Sequence, residues 1–121
     1  LVSEGIIEDP VMIQMCMGIP WGAPDDLNTF MSMVNNTPEN WTFSAFSIGQ
    51  HQMSYVAAAM LAGGNIRVGL EDNLWLSRGK LATNAQLVEK AATIATNMGA
   101  TLMTPAEVRE KMQLVKRAPR G

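Results

Sequence analysis

A fourfold alternation constrains this chain more than anything else in it. Short runs with strand character open near residues 11, 41, 65 and 100, and each is followed by a stretch with helical spacing. A repeat of about 30 residues is what a strand–helix–strand unit needs, because parallel neighbours are joined by a crossover helix. Residues 11–17 are almost continuously apolar, as in a strand buried on both faces. Residues 41–48 are rich in aromatic side chains with partial alternation, residues 66–70 alternate apolar with polar, and residues 101–103 form a short last run. The pattern predicts an α/β fold with a parallel sheet. Four units in 121 residues are half of a (β/α)8 TIM barrel, whose usual length is about 250 residues. A four-stranded doubly wound sheet is the alternative. The chain opens with Leu1 in mid-pattern, on what reads as a last helical turn stopped by Gly5. Residues 1–121 are therefore expected to be the C-terminal half of one barrel domain, about its last four βα units.

The helices follow from caps and spacing. Asp25 or Asp26 caps a helix to about residue 34, with Leu27, Phe30, Met31 and Val34 inward. A second places Met53, Val56, Ala57, Met60 and Leu61 inward and stops at Gly63 and Gly64. Residues 73–80 read as an irregular turn, with Trp75 and Leu76 tucked under the rim. Thr83 or Asn84 caps a third helix to about residue 98, with Leu87, Ala91, Ile94 and Met98 inward. Thr104, Pro105 and Glu107 form a capping box opening a last helix to about residue 115. Residues 116–121 read as a frayed basic tail.

Composition excludes several function classes. A net charge of −2 without a basic run argues against nucleic acid. No apolar run approaches the roughly 20 residues of a membrane helix. The one cysteine, Cys16, allows no intrachain disulfide and suits a reducing cytoplasm; it reads as a small buried hydrophobe. The ten methionines sit mainly on apolar faces and read as core fillers rather than metal ligands.

Candidate functional residues lie where strands end. Gly18 and Gly22 bracket a Gly/Pro loop after the first strand, of a kind suited to phosphate or carboxylate, though it matches no nucleotide fingerprint. Gly49 and His51, the lone histidine, follow the second. After the third, Arg67 and Glu71 share a strand face and Asp72 and Asn73 stand at its end. Two readings of this last group are open: a structural ion pair on a solvated strand end, or the chemical centre of a barrel rim.

The stretch Gly63-Gly64-Asn65-Ile66-Arg67-Val68-Gly69-Leu70-Glu71-Asp72-Asn73-Leu74-Trp75-Leu76-Ser77-Arg78-Gly79 resembles the signature of the β-keto acid cleavage enzymes. Gly18-Ile19-Pro20-Trp21-Gly22, Ile48-Gly49-Gln50-His51-Gln52 and residues 100–107 match in the same order, so the resemblance covers essentially the whole chain. It implies a zinc-dependent (β/α)8 barrel, cytoplasmic and homo-oligomeric, expected as a tetramer. Its substrates would be a β-keto acid, such as the 3-keto-5-aminohexanoate of lysine fermentation, and acetyl-CoA; acetoacetate and a new acyl-CoA would be the products. By resemblance Glu71 is a zinc ligand, Asp72 the general base and Arg67 its partner in orienting substrate. Gly18, Gly22, Gly49, His51 and Asn73 line the substrate site, with Trp21 near it. Two histidine zinc ligands are expected in the N-terminal half, and His51 does not replace them. The chain alone would therefore bind zinc poorly and be inactive. The alternative is a non-catalytic piece serving only as an assembly element.

Overall fold

The computed structural model describes residues 1–115; the basic tail expected at 116–121 lies outside the described residues. Three parallel strands form its centre: β1 (Met12–Met17), β2 (Thr42–Ser47) and β3 (Asn65–Ile66), adjacent in chain order. The crossovers carry α1 (Leu27–Asn35) and α2 (Gln52–Leu61), the latter entered through a 3-10 turn at Gly49–His51. An antiparallel hairpin follows, β4 (Trp75–Ser77) with β5 (Lys80–Leu81), and then α3 (Asn84–Asn97) and α4 (Pro105–Lys111). The fold is α/β with a parallel sheet, and neighbours sequential in the chain are compatible with an arc of a barrel.

Register gives the sheet two unlike faces. Ile13 pairs with Phe43, Met15 with Ala45 and Met17 with Ser47, while Gln14 pairs with Ser44 and Cys16 with Phe46. The first set faces the helices. Met15, Met17, Phe43 and Ala45 join Phe30 of α1 and Tyr55 and Ala59 of α2 in one core. Phe30 stands edge-on to Tyr55 at 5.4 Å and to Phe43 at 6.4 Å, the geometry aromatic quadrupoles favour. Gly64 lets this core close: a Cβ there would lie 2.2 Å from the Phe43 ring. The second set, with Asn65 opposite Ser44, makes a polar face.

Local signals account for the helix ends. Asp26 accepts from the Thr29 N–H at 2.9 Å, and Thr83 with Gln86 and Thr104 with Glu107 close two capping boxes, as the residue types predict. At the start of the chain Ile6 N–H donates to Leu1 O and Gly5 N–H to Val2 O, with Gly5 at φ +70°. This is the Schellman pattern expected of a helix-stop glycine, although residues 1–4 form turns and not a helix.

Several expectations are corrected. β1 is not buried on both faces: Met12 and Gln14 are exposed, because the polar face of β1 meets no helix. Leu27 and Met31 are exposed rather than inward; only Phe30 of α1 is fully buried. In α2 the buried set is Gln52, Tyr55, Val56 and Ala59, and Leu61 is exposed. That helix is apolar almost all round, so its periodicity does not point to one face. β3 ends at Ile66 instead of residue 70, since ladder pairing with β2 stops there. The irregular turn expected over 73–80 is largely the β4–β5 hairpin, closed at Arg78 and Gly79 with Gly79 at φ +77°, and Trp75 is exposed. Residues 101–103 form no strand. Met98 is exposed, and α4 stops at Lys111.

Candidate active site

The carboxyl ends of β1, β2 and β3 lie on one side, as parallel strands require, and there the chain places its charged side chains. Asn65 sits opposite Ser44, so two residues on Arg67 emerges on the polar face. Its guanidinium lies 4.2 Å from the Phe46 ring centroid, a cation–π contact. All its arms are engaged. Nη1 donates to Gln14 Oε1 at 2.6 Å, Nη2 to Glu71 Oε2 at 2.7 Å, and Nε to Asp72 Oδ2 at 3.1 Å. A longer contact of 3.4 Å runs from Nη2 to Asp72 Oδ1. Gln14 in turn donates from Nε2 to Ser44 Oγ at 3.1 Å. Three strands thus converge on one cation through donors whose geometry only a planar guanidinium supplies.

The two carboxylates differ in setting. The Asp72 side chain is 4% exposed and that of Glu71 is 82% exposed. The Asp72 carboxylate is out of water, and removing Arg67 would strand it as a buried charge. The Arg67–Glu71 pair is a surface bridge contributing about 0–1 kcal/mol. Glu71 is therefore free to offer its carboxylate elsewhere at small cost. Neither of the two open readings excludes the other: the pair is structural at Asp72 and accessible at Glu71.

The loop carrying these residues is pinned from three sides. Gly49 N–H donates to Asp72 O at 2.7 Å, tying the ends of β2 and β3 together. Gln52, fully buried at the head of α2, donates from Nε2 to Gly69 O at 3.0 Å. Asn84 Oδ1 accepts from Leu70 N–H at 2.9 Å. Asn73 spends its amide on the hairpin, donating to Trp75 O at 2.7 Å and accepting from Trp75 N–H at 3.0 Å. The sequence does not show the roles of Gln14, Gln52 and Asn84; the local signals are a lone polar residue inside the apolar β1 run and polar residues at the starts of α2 and α3.

A second polar group lies at the ends of β1 and β2. Asp25 Oδ2 is 2.5 Å from His51 Nδ1 and accepts from Ser47 Oγ at 3.1 Å. The bond from His51, which with that from Ser47 outweighs partial desolvation, holds Asp25 below the usual carboxylate range. Gly18 is required here for two reasons: its φ is +74°, and a Cβ would meet Ser47 Oγ at 2.9 Å. Gly22 closes the same loop by donating to Ile19 O at 3.0 Å, and Trp21 at its tip has φ +65° and a fully exposed ring. Gly49, at φ +76°, has open space where a Cβ would stand. Cys16 is only partly buried; its desolvation, then the charge of Asp72, raises its thiol pKa, which leaves it a poor nucleophile.

Beside this rim an open cleft of about 890 Å3 runs from Gly49 and Asn73 along the hairpin to Arg78 and Lys90. Lys90 donates to Leu76 O at 2.6 Å. Among the described residues no group of three or more His, Cys, Asp and Glu side chains is placed to hold a metal ion. Glu71 could supply one oxygen ligand, whereas catalytic zinc takes three ligands from protein. No helix of the described residues is long and apolar enough to cross a membrane.

Residues 1–114 match the model of a family described as beta-keto acid cleavage enzyme. The chain is 70% identical over 117 residues to the 3-dehydrocarnitine:acetyl-CoA trimethylamine transferase of Rhizobium meliloti, covering 97% of this chain and 39% of that protein. It is 34% identical over 115 residues to the 3-keto-5-aminohexanoate cleavage enzyme of Fusobacterium nucleatum, covering 94% and 42%. With the 3,5-dioxohexanoate:acetyl-CoA acetone transferase of Paraburkholderia graminis it shares 31% over 118 residues, covering 93% and 38%. The chain thus spans about two-fifths of the length of these relatives.

Proposed function

The chain belongs to the beta-keto acid cleavage enzyme family, and from that premise we propose that the protein carrying it exchanges an acyl group between a β-keto acid and acetyl-CoA, giving acetoacetate and a new acyl-CoA. The observation that carries the reading is Arg67 holding Glu71 and Asp72 together at the end of β3. Asp72, with Arg67 as its counter-ion, takes the proton from the carbon between the two carbonyl groups. The guanidinium keeps the carboxylate aimed and presents positive charge toward the enolate that develops. Gly49, Gly22 and His51 line the approach to this centre.

Zinc is part of the proposal, with Glu71 as the ligand from this chain and two histidines from the N-terminal part of the barrel. When bound, zinc would polarise the β-keto oxygen as a Lewis acid. An exposed carboxylate with one oxygen unpaired among the described residues suits that duty. The remaining barrel strands would pair with β1 and β3, whose outer edges meet no strand among the described residues. Completed this way, the barrel acts in the cytoplasm as a homo-oligomer. Identity of 70% with a relative named for 3-dehydrocarnitine, against 34% with one named for 3-keto-5-aminohexanoate, favours 3-dehydrocarnitine as the β-keto acid.

The test uses the full-length protein with acetyl-CoA and each β-keto acid, following acetoacetate. Asp72→Asn and Glu71→Gln are each expected to lower kcat at least about 100-fold, and Glu71→Gln also to lower zinc content. Unchanged turnover in both variants would sink the reading.

A further inference from the structure

We infer that Asp25 and His51 form an acid–base dyad whose open ring nitrogen, His51 Nε2, carries the proton of the coenzyme A thiol during acyl exchange. The inference rests on the acyl-exchange reading above and assigns a second proton-handling group to the same rim.

The geometry comes first. His51 Nδ1 lies 2.5 Å from Asp25 Oδ2, so Nδ1 is engaged by the carboxylate and Nε2 is the ring nitrogen left open to exchange a proton. The His51 side chain is 49% exposed, and Nε2 has no hydrogen-bond partner among the described residues. A carboxylate that fixes a histidine's tautomer and faces the imidazolium is the arrangement general bases use. Asp25 is itself held in place: Ser47 Oγ donates to the same oxygen at 3.1 Å, and Gly18 leaves the space that this contact needs. The two residues are 26 apart in the chain, on loops after different strands, so local turn chemistry does not explain the pair.

The chemistry then asks for such a group. In acyl exchange the acetyl C–S bond breaks with its electron pair on sulfur, and the same sulfur later attacks the carbonyl of the new acyl group. Between these events sulfur holds a proton as a thiol, and a thiol, like the cysteine side chain with its ordinary pKa of about 8.5, is mostly protonated at neutral pH. The imidazolium gives its Nε2 proton to the departing thiolate. The neutral ring takes that proton back as the thiol attacks, while Nδ1–H stays on Asp25 throughout. Asp72 is tied to Arg67 and buried, and it serves the carbon acid; the exposed dyad serves sulfur. Gly49, two residues before His51, donates to Asp72 O at 2.7 Å, which joins the two groups through one short loop. In these terms His51 is the catalytic residue and Asp25 its positioning residue.

The test is run on the full-length protein with His51→Ala, His51→Gln and Asp25→Asn. Two rates are followed: acyl exchange, and enzyme-dependent exchange of the β-keto acid's carbon-bound hydrogen in D2O. We expect His51→Ala and His51→Gln to lower kcat about 100-fold or more and the carbon–hydrogen exchange far less, so that the two rates part. Added imidazole should restore part of the kcat of His51→Ala, and Asp25→Asn should lower kcat about tenfold. Wild-type turnover in His51→Ala, loss of both rates together, or failure of imidazole to restore turnover would overturn the dyad. If the unsubstituted protein makes no acetoacetate, the acyl-exchange reading falls and this inference with it; an active parent with an unaffected His51→Ala removes this inference alone.

Discussion

The two faces of the three-stranded sheet are made by alternate residues of the same strands, yet they do different work. Met15, Met17, Phe43 and Ala45 point to α1 and α2 and pack in one cluster with Phe30, Tyr55 and Ala59. Gln14, Ser44, Phe46 and Arg67 point the other way and are joined by directed hydrogen bonds and one cation–π contact. The first face is held by buried area, which is non-directional and tolerant of exchange among apolar residues. The second is held by geometry, where one lost partner leaves a charge unpaired. Apolar packing and the proposed chemistry are thus set apart by a period of two residues, and substitutions on the two faces should separate in the same way.

The largest loss of stability is expected from Phe30→Ala. Phe30 is 1% exposed, and its removal should cost about 3–5 kcal/mol by denaturant titration of the full-length protein. The kcat of the folded fraction should stay within a factor of two or three, and a collapse of kcat at full stability would break the division between the faces. Arg67→Met comes next. It leaves Asp72 buried without its cation, and we expect about 3 kcal/mol of destabilisation together with loss of turnover. Adding Asp72→Leu should recover much of the stability and none of the activity, and simple additivity of the two costs would show that the pair is not coupled.

The smallest effect concerns acid. Asp25, Asp26 and Glu107 are all held below their ordinary values, Asp25 chiefly by His51, Asp26 by the Thr29 N–H and Glu107 by the Thr104 N–H. A carboxylate whose folded value is lowered contributes stability that is present above its unfolded value and lost as pH falls through the folded one. Stability should therefore be level above the ordinary values of 3.8 and 4.5 and decline below them. Glu107→Gln, which removes the titrating carboxylate, should flatten the Glu107 part of that decline, and an unchanged slope would refute the assignment.

Much of this architecture was legible beforehand, for reasons tied to particular residues. The apolar run at 11–17 and the aromatic run at 41–48 marked β1 and β2. Asp26, Thr83 and Thr104 marked helix starts because a side-chain oxygen satisfies the free N–H groups of a first turn. Periodicity does not give the inner face of α2, because Met53, Val56, Ala57, Met60 and Leu61 surround an apolar helix, while the residue buried deepest at its head is polar. Gln52 is inside because Gly69 O accepts its amide, and no periodicity encodes that. The hairpin carried a readable signal in Arg78 and Gly79, a two-residue turn with a left-handed glycine.

The sequence by itself determined the alternation of elements, the caps that bound them and the three charged residues at the end of β3, because these rest on interactions between neighbours in the chain. Only the tertiary structure decided that Arg67 would reach Gln14, 53 residues away, that Asp72 would be buried while Glu71 stayed in water, and that Asp25 would meet His51. Those outcomes depend on which strands lie side by side and in what register. One residue of slip between β2 and β3 would turn Arg67 to the helix face and dissolve the centre.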